Sequence, residues 1–241
     1  MKLILGGYGV MGRVVENLAL ERGHEILGIF SIQDLENPPY PVYKDINDLP
    51  ESDAIIDFSH PNNTSELLRG ASYHKTPIVV ATTGARDQLQ DLMDQAAEYC
   101  PIFFSANMSY GVHVFTKALK FLTPLLSDGF DIEILERHHN KKIDAPSGTA
   151  ITLAEGIIAE TDKAGWHLDT AGENEIPIVA KRIDSTPGTH IITYSSEVDT
   201  IEIKHTAHNR NGFALGAVLA AEWIVGKQGV FTMSDVLGFS N

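Results

Sequence analysis

The chain has 241 residues, a mass of 26.3 kDa and a formal net charge of −14, a size that allows one large domain or two modest ones. The acidic balance argues against a nucleic-acid partner, and the longest apolar run, which ends at Glu222, is far too short to cross a membrane. The N-terminus shows no secretory signal, and the single cysteine, Cys100, permits no internal disulfide, so we expect a cytoplasmic protein.

The first predicted elements form a strand, a glycine turn and a helix. Leu3–Leu5 reads as a short buried strand, and Val10, Val14 and Leu18 fall on one face of the helix that follows. Gly23 ends this helix, and residues 25–30 read as a second strand. From residue 31 to 50 the chain is polar and proline-rich, so we expect a loop with at most a stub of strand.

Strand and helix continue to alternate up to residue 104. Apolar runs predict strands at 54–58, 77–81 and 102–104, and helical spacing predicts helices around 67–71 and 89–97. This alternation indicates a doubly wound parallel sheet, which is a Rossmann-like α/β domain.

The pattern changes after residue 105, and we expect a smaller α+β domain there. Helices are predicted at 115–122, 150–158 and 213–225, strands at 131–136, 191–194 and 200–203, and a surface loop from about 161 to 176. The last helix can return to the first domain. The predicted division is therefore 1–108 with 210–241 as the dinucleotide-binding domain, and 109–209 as the second domain.

The glycine turn carries a cofactor prediction. Gly7, Gly9 and Gly12 match the dinucleotide pattern in a strand–turn–helix context, with Gly6 as a further glycine at the strand end. Glycine lets backbone N–H groups approach a pyrophosphate, and the helix N-terminus adds positive potential. At the end of the second strand, Ser31 replaces the acid that favours NAD and the arginine that favours NADP, so the choice between NADH and NADPH stays open.

Residues 136–149 concentrate groups for proton transfer and anion binding. Adjacent His138 and His139 diverge on a strand or a helix, and no thiolate cluster accompanies them, so we expect no metal site. A histidine can relay a proton near neutrality, and a nearby lysine can supply a proton or a counter-charge. Ser147 is a candidate N-cap, and Gly148 leaves backbone N–H groups open to an anion. Taken singly, each of these residues also fits a solvated surface or plain helix capping; together they suggest reduction of a carboxylate-bearing substrate.

The same stretch resembles a known family. Glu136-x-His138-His139-x-x-Lys142-x-Asp144-Ala-Pro-Ser-Gly-Thr-Ala is similar to the signature of the dihydrodipicolinate reductases, now called 4-hydroxy-tetrahydrodipicolinate reductases. The similarity extends along nearly the whole chain and includes residues 6–12, 57–59, 81–84, 105–109 and 212–218. It implies NADH- or NADPH-dependent reduction of 4-hydroxy-tetrahydrodipicolinate to tetrahydrodipicolinate with loss of water, a step of lysine and diaminopimelate synthesis.

The resemblance also implies roles for individual residues. His138 would be the acid/base residue, Lys142 a proton donor and His139 a substrate contact, while Ser147, Gly148 and Thr149 would receive a carboxylate of a small cyclic dicarboxylate. Contacts to the cofactor are expected from the glycine turn, the end of the second strand and the nicotinamide pocket: Gly6, Gly7, Tyr8, Gly9, Val10, Met11, Gly12, Ser31, Ala81, Thr82, Thr83, Ser105, Ala106, Asn107 and Met108. Family members are usually homotetramers assembled through the second domain.

Four positions depart from the family pattern. Tyr8 and Val10 replace a glycine and a basic residue of some members' turn, Asp184 stands where glycine is common, and Thr189 where glutamate is common. Two alternative functions remain at this point: a related dehydrogenase of amino or hydroxy acids, and a non-catalytic nucleotide-sensing module. If the cofactor binds one domain and the substrate the other, we expect closure around hinges near residues 109 and 209–212.

Overall fold

The computed structural model describes residues 1–82 and 86–238, and it divides the chain into two compact units. The first unit is Met1–Tyr110 with Arg210–Asn241, and the second is Gly111–Asn209. The elements of the first segment, in chain order, are β1 (Lys2–Gly6), α1 (Val10–Glu21), β2 (Glu25–Phe30), β3 (Val42–Tyr43), β4 (Ala54–Asp57), α2 (Pro61–His74), β5 (Ile78–Val80), α3 (Arg86–Ala96) and β6 (Ile102–Phe104), with a short 3₁₀ turn at Ile46–Asp48.

The elements that follow build the second unit and then return to the first. They are α4 (Tyr110–Leu122), a 3₁₀ turn at Thr123–Leu125, β7 (Asp131–His138), α5 (Gly148–Ile158), β8 (Gly165–Leu168), β9 (Glu175–Arg182), β10 (Gly188–Ser195), β11 (Thr200–Ala207), α6 (Asn211–Ile224), β12 (Val230–Phe231) and α7 (Met233–Val236). No helix in the described ranges has the length and apolar character that crossing a membrane requires.

The sheet of the first unit has the strand order β3-β2-β1-β4-β5-β6-β12, and every pairing between neighbours is parallel. The order reverses between β1 and β4, where Gly6 pairs with Asp57 at the carboxyl ends of the two strands. In open parallel sheets this reversal point is the usual place for a ligand. The predicted Rossmann-like domain is therefore confirmed, with the glycine turn at its switch point.

Alternation along β1 shows why this sheet is covered on both faces. Leu3 and Leu5 pack in one core cluster with residues of α1 and α6, whereas Ile4 packs in another with residues of α2 and α3. All three side chains are at most 1% exposed. A strand that is buried on both faces reads as a continuous apolar run, as this one does.

The second unit is a five-stranded mixed sheet with the order β11-β10-β7-β9-β8. β10 is antiparallel to β11 and to β7, whereas β7, β9 and β8 run parallel. Along β7, Ile132, Ile134, Glu136 and His138 are buried and alternate with more exposed residues. The two isoleucines pack in a core cluster with residues of α4 and α5, so the same face carries two polar side chains at its carboxyl end.

Three element predictions were wrong or incomplete. The predicted loop at 161–176 contains β8 and the first residues of β9, because a short, half-exposed edge strand is stabilised by its pairing rather than by an apolar run. β7 extends through His138, two residues beyond the predicted end. β12 and α7 were not predicted, since each is too short to show a period.

Candidate active site

Three glycines in or next to the turn between β1 and α1, namely Gly6, Gly7 and Gly12, stand where a side chain is disfavoured. A Cβ at Gly6 would lie 2.5 Å from Oδ1 of Asp57, and one at Gly12 would lie 2.7 Å from the carbonyl oxygen of Gly7. Gly7 itself has a φ of +74°, which disfavours other residues. These three glycines therefore let the turn pack closely against β4 and the start of α1.

Gly9 differs from the other glycines of the turn because a Cβ there would meet nothing within 4 Å. It is the N-cap of α1, it makes no side-chain capping bond, and the first helical turn contains no acidic residue. The N–H groups at this helix start thus face an open space in the part of the chain that the structure describes. Such a terminus fits a bound pyrophosphate.

The remaining turn residues and Ser31 occupy distinct environments. Tyr8 is 8% exposed; its hydroxyl contacts Glu16, and Arg13 stacks 4.7 Å above its ring. Burial raises the pKa of Tyr8 to about 12, helped by the hydrogen bond to Glu16. Val10 is exposed and Met11 half-buried. Ser31 follows β2, is buried, and donates its hydroxyl to the carbonyl oxygen of Gln33 at 2.9 Å.

A cavity of about 370 Å³ opens beside this turn within the first unit. Met11, Ala81, Thr82, Ala106 and Met108, all predicted cofactor contacts, line it. It is completed by four residues for which no such contact was predicted: Phe58, Ser59, Arg210 and Phe213. Thr83 of the predicted pocket, like Gly84, lies outside the described residues.

A buried carboxylate supports the cavity from behind. Oδ2 of Asp57 accepts hydrogen bonds from Thr64 and, at 3.1 Å, from Thr82, while Oδ1 accepts from the backbone and hydroxyl of Ser59. Burial raises the pKa of Asp57, and the hydrogen bonds from Ser59 and Thr64 oppose the rise. This network fixes the two hydroxyl residues that line the cavity wall.

The loop at 105–108 is held equally tightly. Ser105 Oγ donates to the carbonyl oxygen of Asn107 at 2.6 Å, and Oδ1 of Asn107 accepts from the backbone of Ser109 at 2.9 Å. Met108 is 2% exposed, and its carbonyl oxygen packs directly on Gly216 of α6. Because Gly216 has no side chain, the loop can pack closely on α6, and in this position it lines the cavity.

In the second unit, the end of β7 brings a buried acid and a histidine together. Glu136 and His138 lie two residues apart on the same face and are 0% and 8% exposed. Oε2 of Glu136 contacts Nδ1 of His138. Within residues 1–82 and 86–238 neither atom makes a hydrogen bond of regular geometry, so this close contact is what each buried atom has in place of one.

The second oxygen of Glu136 connects this pair to the rest of the predicted substrate region. Oε1 accepts from the backbone N–H of Ser147 at 3.2 Å and from the guanidinium of Arg182 at 3.1 Å. Burial raises the pKa of Glu136, but the hydrogen bonds from His138, Ser147 and Arg182 outweigh burial and lower it to about 2. The carboxylate is therefore ionised at neutral pH.

The other predicted substrate residues surround this network. Nζ of Lys142 donates to both oxygens of Asp144 at 2.8 and 2.7 Å, and the carbonyl oxygen of Asp144 accepts from Arg182 at 2.6 Å. His139 follows β7, with a buried Nδ1 that has no hydrogen-bond partner among the described residues. The structure thus links Lys142, through Asp144 and Arg182, to Glu136 and His138.

Ser147 to Thr149 start α5 as predicted. Ser147 is the N-cap, and its Oγ accepts from the backbone N–H of Ala150 at 3.2 Å. Gly148 is exposed, and a Cβ there would meet nothing within 4 Å. Thr149 is half-buried. The open backbone at Gly148 and the helix N-terminus suit a carboxylate ligand.

A second histidine, His190 of β10, completes the cluster. Its ring packs edge-on against His138 with 5.2 Å between centroids, and its Nε2 lies 3.1 Å from Oγ of Ser147. Burial, together with the neighbouring His138, lowers the pKa of His190 to about 4. Donor atoms of Glu136, His138 and His190 all lie within 4.8 Å of one another, a spacing that a metal could use. Since Glu136 already binds Arg182 and Ser147, and His190 faces Ser147, we assign the cluster to hydrogen bonding.

Sequence reasoning assigned no role to Glu136, Arg182 or His190. The signal for Glu136 was present, because a carboxylate that alternates in step with Ile132 and Ile134 must point inward. The other two are placed by strand register. Arg182 of β9 lies opposite His138 of β7, and His190 of β10 lies opposite Glu136 of β7. β9 was not predicted, so its contribution could not be found.

The chain matches two family models along nearly its whole length. The model described as "Dihydrodipicolinate reductase, N-terminus" matches residues 1–108, and the one described as "Dihydrodipicolinate reductase, C-terminus" matches residues 111–237. A protein of Christiangramia forsetii named 4-hydroxy-tetrahydrodipicolinate reductase is 43% identical over 246 residues, covering 98% of each chain. A protein of the same name from Staphylococcus carnosus is 41% identical, covering 98% of this chain and 99% of its own.

Solved structures show the same architecture. Dipicolinate-bound dihydrodipicolinate reductase from Paenisporosarcina sp. TG-14 superposes with a TM-score of 0.80 at 22% identity, covering 96% of this chain and 97% of the other. DAP dehydrogenase of C. glutamicum in complex with DAP gives a TM-score of 0.58 at 14% identity, covering 100% and 96%. An engineered D-amino acid dehydrogenase bound to NADP+ gives 0.58 at 15% identity, covering 100% and 97%. At these identities the likeness concerns the fold.

Proposed function

The chain belongs to the dihydrodipicolinate reductase family, and on this premise we propose that it reduces 4-hydroxy-tetrahydrodipicolinate to tetrahydrodipicolinate with loss of water. It is an oxidoreductase that takes its reducing equivalent from a nicotinamide cofactor. The observation that carries the proposal is the substrate half of the site. There an ionised, buried Glu136 joins the ring of His138 to the backbone start of α5, which is open to an anion.

The first unit suits the cofactor. Its pyrophosphate would lie on the open N-terminus of α1 at Gly9, and the cavity lined by Thr82, Ala106 and Met108 would receive the nicotinamide. Bound there, the reduced nicotinamide supplies the hydride. The buried network behind Thr82 and the tight loop at Met108 keep the cavity wall rigid, which fixes the ring's orientation.

We propose that both NADH and NADPH are accepted. Ser31 offers a hydroxyl at the end of β2 where an acid would repel a 2′-phosphate, and it is already bound to the backbone of Gln33. The nearby acid, Asp34, is paired with Lys44, which follows β3. Lys44 would provide a cation for the 2′-phosphate of NADPH, whereas NADH, which has a 2′-hydroxyl, would bind without it.

The second unit suits a cyclic dicarboxylate. One carboxylate would accept hydrogen bonds from the N–H groups at Gly148 and Thr149, and the half-buried His139 would hold the substrate. His138 would act as the acid/base group, because Glu136 orients its ring and leaves Nε2 for the reaction. Lys142 would deliver a proton to the position that gains negative charge, with Asp144 holding Nζ in place.

A coupled assay with freshly formed substrate and each cofactor side by side tests the reaction. We expect cofactor oxidation with both cofactors, and no oxidation with either would contradict the proposal. In the same assay Lys142→Ala should lower kcat on the order of a hundredfold or more. Lys141→Ala is the matched control, since Lys141 is the exposed neighbour; equal losses in the two variants would remove the assigned role.

Binding of pyridine-2,6-dicarboxylate, measured by calorimetry, tests the substrate class. It should bind the wild-type protein, and it should bind His139→Ala more weakly. Absence of binding together with reduction of the oxidised cofactor by an amino or hydroxy acid would instead favour a related dehydrogenase.

We further propose a cytoplasmic homotetramer assembled through the second unit. β11 is an edge strand of eight residues that are exposed or half-buried, and the loop just before it carries a Val198 that is 91% exposed. Long exposed edges are usually covered by another chain or otherwise protected. Cys100 is buried and fits a reducing compartment. Analytical ultracentrifugation should give four times the chain mass, and a monomer would contradict the assembly.

A further inference from the structure

The geometry points to Glu136 as a positioning residue that fixes which nitrogen of His138 carries the proton. The inference rests on the proposed function, because it concerns the acid/base group of that reaction. Glu136 is placed by the alternation of β7, which turns it to the same face as His138, and it is 0% exposed. A buried carboxylate on the core face is costly unless it is fully partnered.

The contacts of Glu136 determine the state of its carboxylate. Oε1 accepts two hydrogen bonds, one from the backbone N–H of Ser147 and one from the guanidinium of Arg182. With two donors on one oxygen and a pKa of about 2, the group is ionised and can only accept hydrogen bonds. Oε2 therefore has no hydrogen of its own to offer to the ring of His138.

The contact between Oε2 and Nδ1 must then be made by a hydrogen on Nδ1. Two acceptors in direct contact would repel each other. The pair is not aligned as a regular hydrogen bond, but within the described ranges neither buried atom has such a bond to any other group. Neutral His138 is thus held as the Nδ1–H tautomer, which leaves the lone pair on Nε2. A carboxylate on one ring nitrogen is a general way to orient an imidazole whose other nitrogen handles the proton.

The surroundings of Nε2 agree with this division of the ring. A Cβ at Gly188 of β10 would lie 3.0 Å from Nε2 and 3.4 Å from Cδ2 of His138, so a side chain at this position would crowd Nε2 and the glycine avoids that. β10 therefore leaves Nε2 free of a side chain at position 188, whereas β7 supplies the acid at Nδ1.

Histidine-selective ¹⁵N labelling of the wild-type protein tests the tautomer directly, without substrate or cofactor. The His138 signal is assigned by its loss in His138→Asn. At a pH where the ring is neutral we expect the Nδ1–H form, and an Nε2–H form in the wild-type protein would overturn the inference. Because the reductase assay is a separate measurement, failure here leaves the proposed reaction standing and can be told apart from its failure.

Glu136→Gln tests the cause. The amide keeps the shape and can still accept from Ser147 and Arg182, but its NH₂ group must now donate to Nδ1, which favours the Nε2–H form. We expect that tautomer to appear and kcat to fall about a hundredfold, with pyridine-2,6-dicarboxylate bound as in the wild type.

Glu133→Gln is the matched control, because it makes the same chemical change on the exposed face of the same strand, and it should leave kcat and the His138 signal unchanged. A Glu136→Gln variant that keeps the Nδ1–H form, or that keeps kcat within about threefold of the control, would overturn the inference. If Glu136→Gln does not fold, the tautomer of the wild-type protein decides.

Discussion

Packing predicts opposite effects for two glycine-to-alanine changes, one in α6 beside the cavity of the first unit and one in α5. Gly216 is buried in α6, and a Cβ there would lie 1.8 Å from the carbonyl oxygen of Met108, well inside the 3.4 Å at which ordinary contact begins. The obstacle is backbone, so it cannot rotate away. Either α6 or the loop at 105–108 must move.

The expected cost of Gly216→Ala follows from overpacking. Such changes destabilise by about 1–3 kcal/mol or more, which in a protein of this size lowers the Tm by roughly 2–4 °C per kcal/mol. Because Met108 lines the cavity, a displaced loop should also raise the KM for NADH. Differential scanning fluorimetry and steady-state kinetics measure the two effects.

Gly156→Ala is the matched control. Gly156 is exposed in the last turn of α5, and a Cβ there would meet nothing within 4 Å. Replacing a strain-free helical glycine by alanine stabilises by about 0.4–1 kcal/mol, so its Tm should rise and its KM for NADH should not change. A Gly216→Ala protein with an unchanged or higher Tm would refute the packing argument.

The remaining predictions concern the second unit. His138→Ala should lower kcat by at least about a hundredfold in steady-state kinetics. If His138 and Lys142 act as a unit, the loss of kcat in the double variant with Lys142→Ala should be smaller than the product of the two single losses. Asp184 has a φ of +41°, a conformation that glycine adopts more readily. Asp184→Gly should therefore raise the unfolding free energy, measured by urea denaturation, by up to about 1 kcal/mol, and a lower value would argue against strain there. Burial lowers the pKa of His190 to about 4 from an unfolded value of 6.5, so the folded state favours the neutral ring. As the pH falls from 6.5 to 4, the wild type should therefore lose up to about 3 kcal/mol of unfolding free energy. His190→Gln should not show this loss.

Much of the first unit could be predicted from the sequence because its elements are regular. Buried parallel strands give apolar runs, and the glycines of the turn are demanded by contacts as close as 2.5 Å. The supporting role of Asp57 could not be predicted, because it depends on which hydroxyls of α2 and the loop after β5 face the carboxylate. Such partners are set by packing between elements that lie far apart in sequence.

The second unit was harder to predict because its sheet is mixed and half-exposed. β9 and β8 carry short or interrupted apolar patterns, with Pro177 inside β9. Their place in the sheet comes from pairing with β7 and with each other, which no local period reveals. Arg182 could not be assigned a role for this reason, since it reaches Glu136 only through that register.

Asp184 shows how a departure from the family pattern can be read in the structure. Its φ of +41° explains why glycine is common at this position. Its carbonyl oxygen accepts from the backbone N–H of Asn140 at 3.1 Å, and the N–H of Ile183 donates to the carbonyl oxygen of His138 at 2.7 Å. The turn after β9 thus continues the pairing with the main chain beyond His138. An aspartate is tolerated because its short polar side chain accepts the left-handed region better than most.

The arrangement around β7 also explains why one strand can carry both the core and the chemistry. Ile132 and Ile134 anchor the strand in the apolar cluster, and the next two inward positions are Glu136 and His138. A polar pair on a buried face needs partners for all its atoms. β9 supplies Arg182, α5 supplies the N–H of Ser147, and the remaining oxygen of Glu136 lies against Nδ1 of His138. The partners that make the burial of Glu136 tolerable are therefore the same groups that hold the proposed proton carrier in one orientation, so stability and catalysis should respond together when any of them is changed.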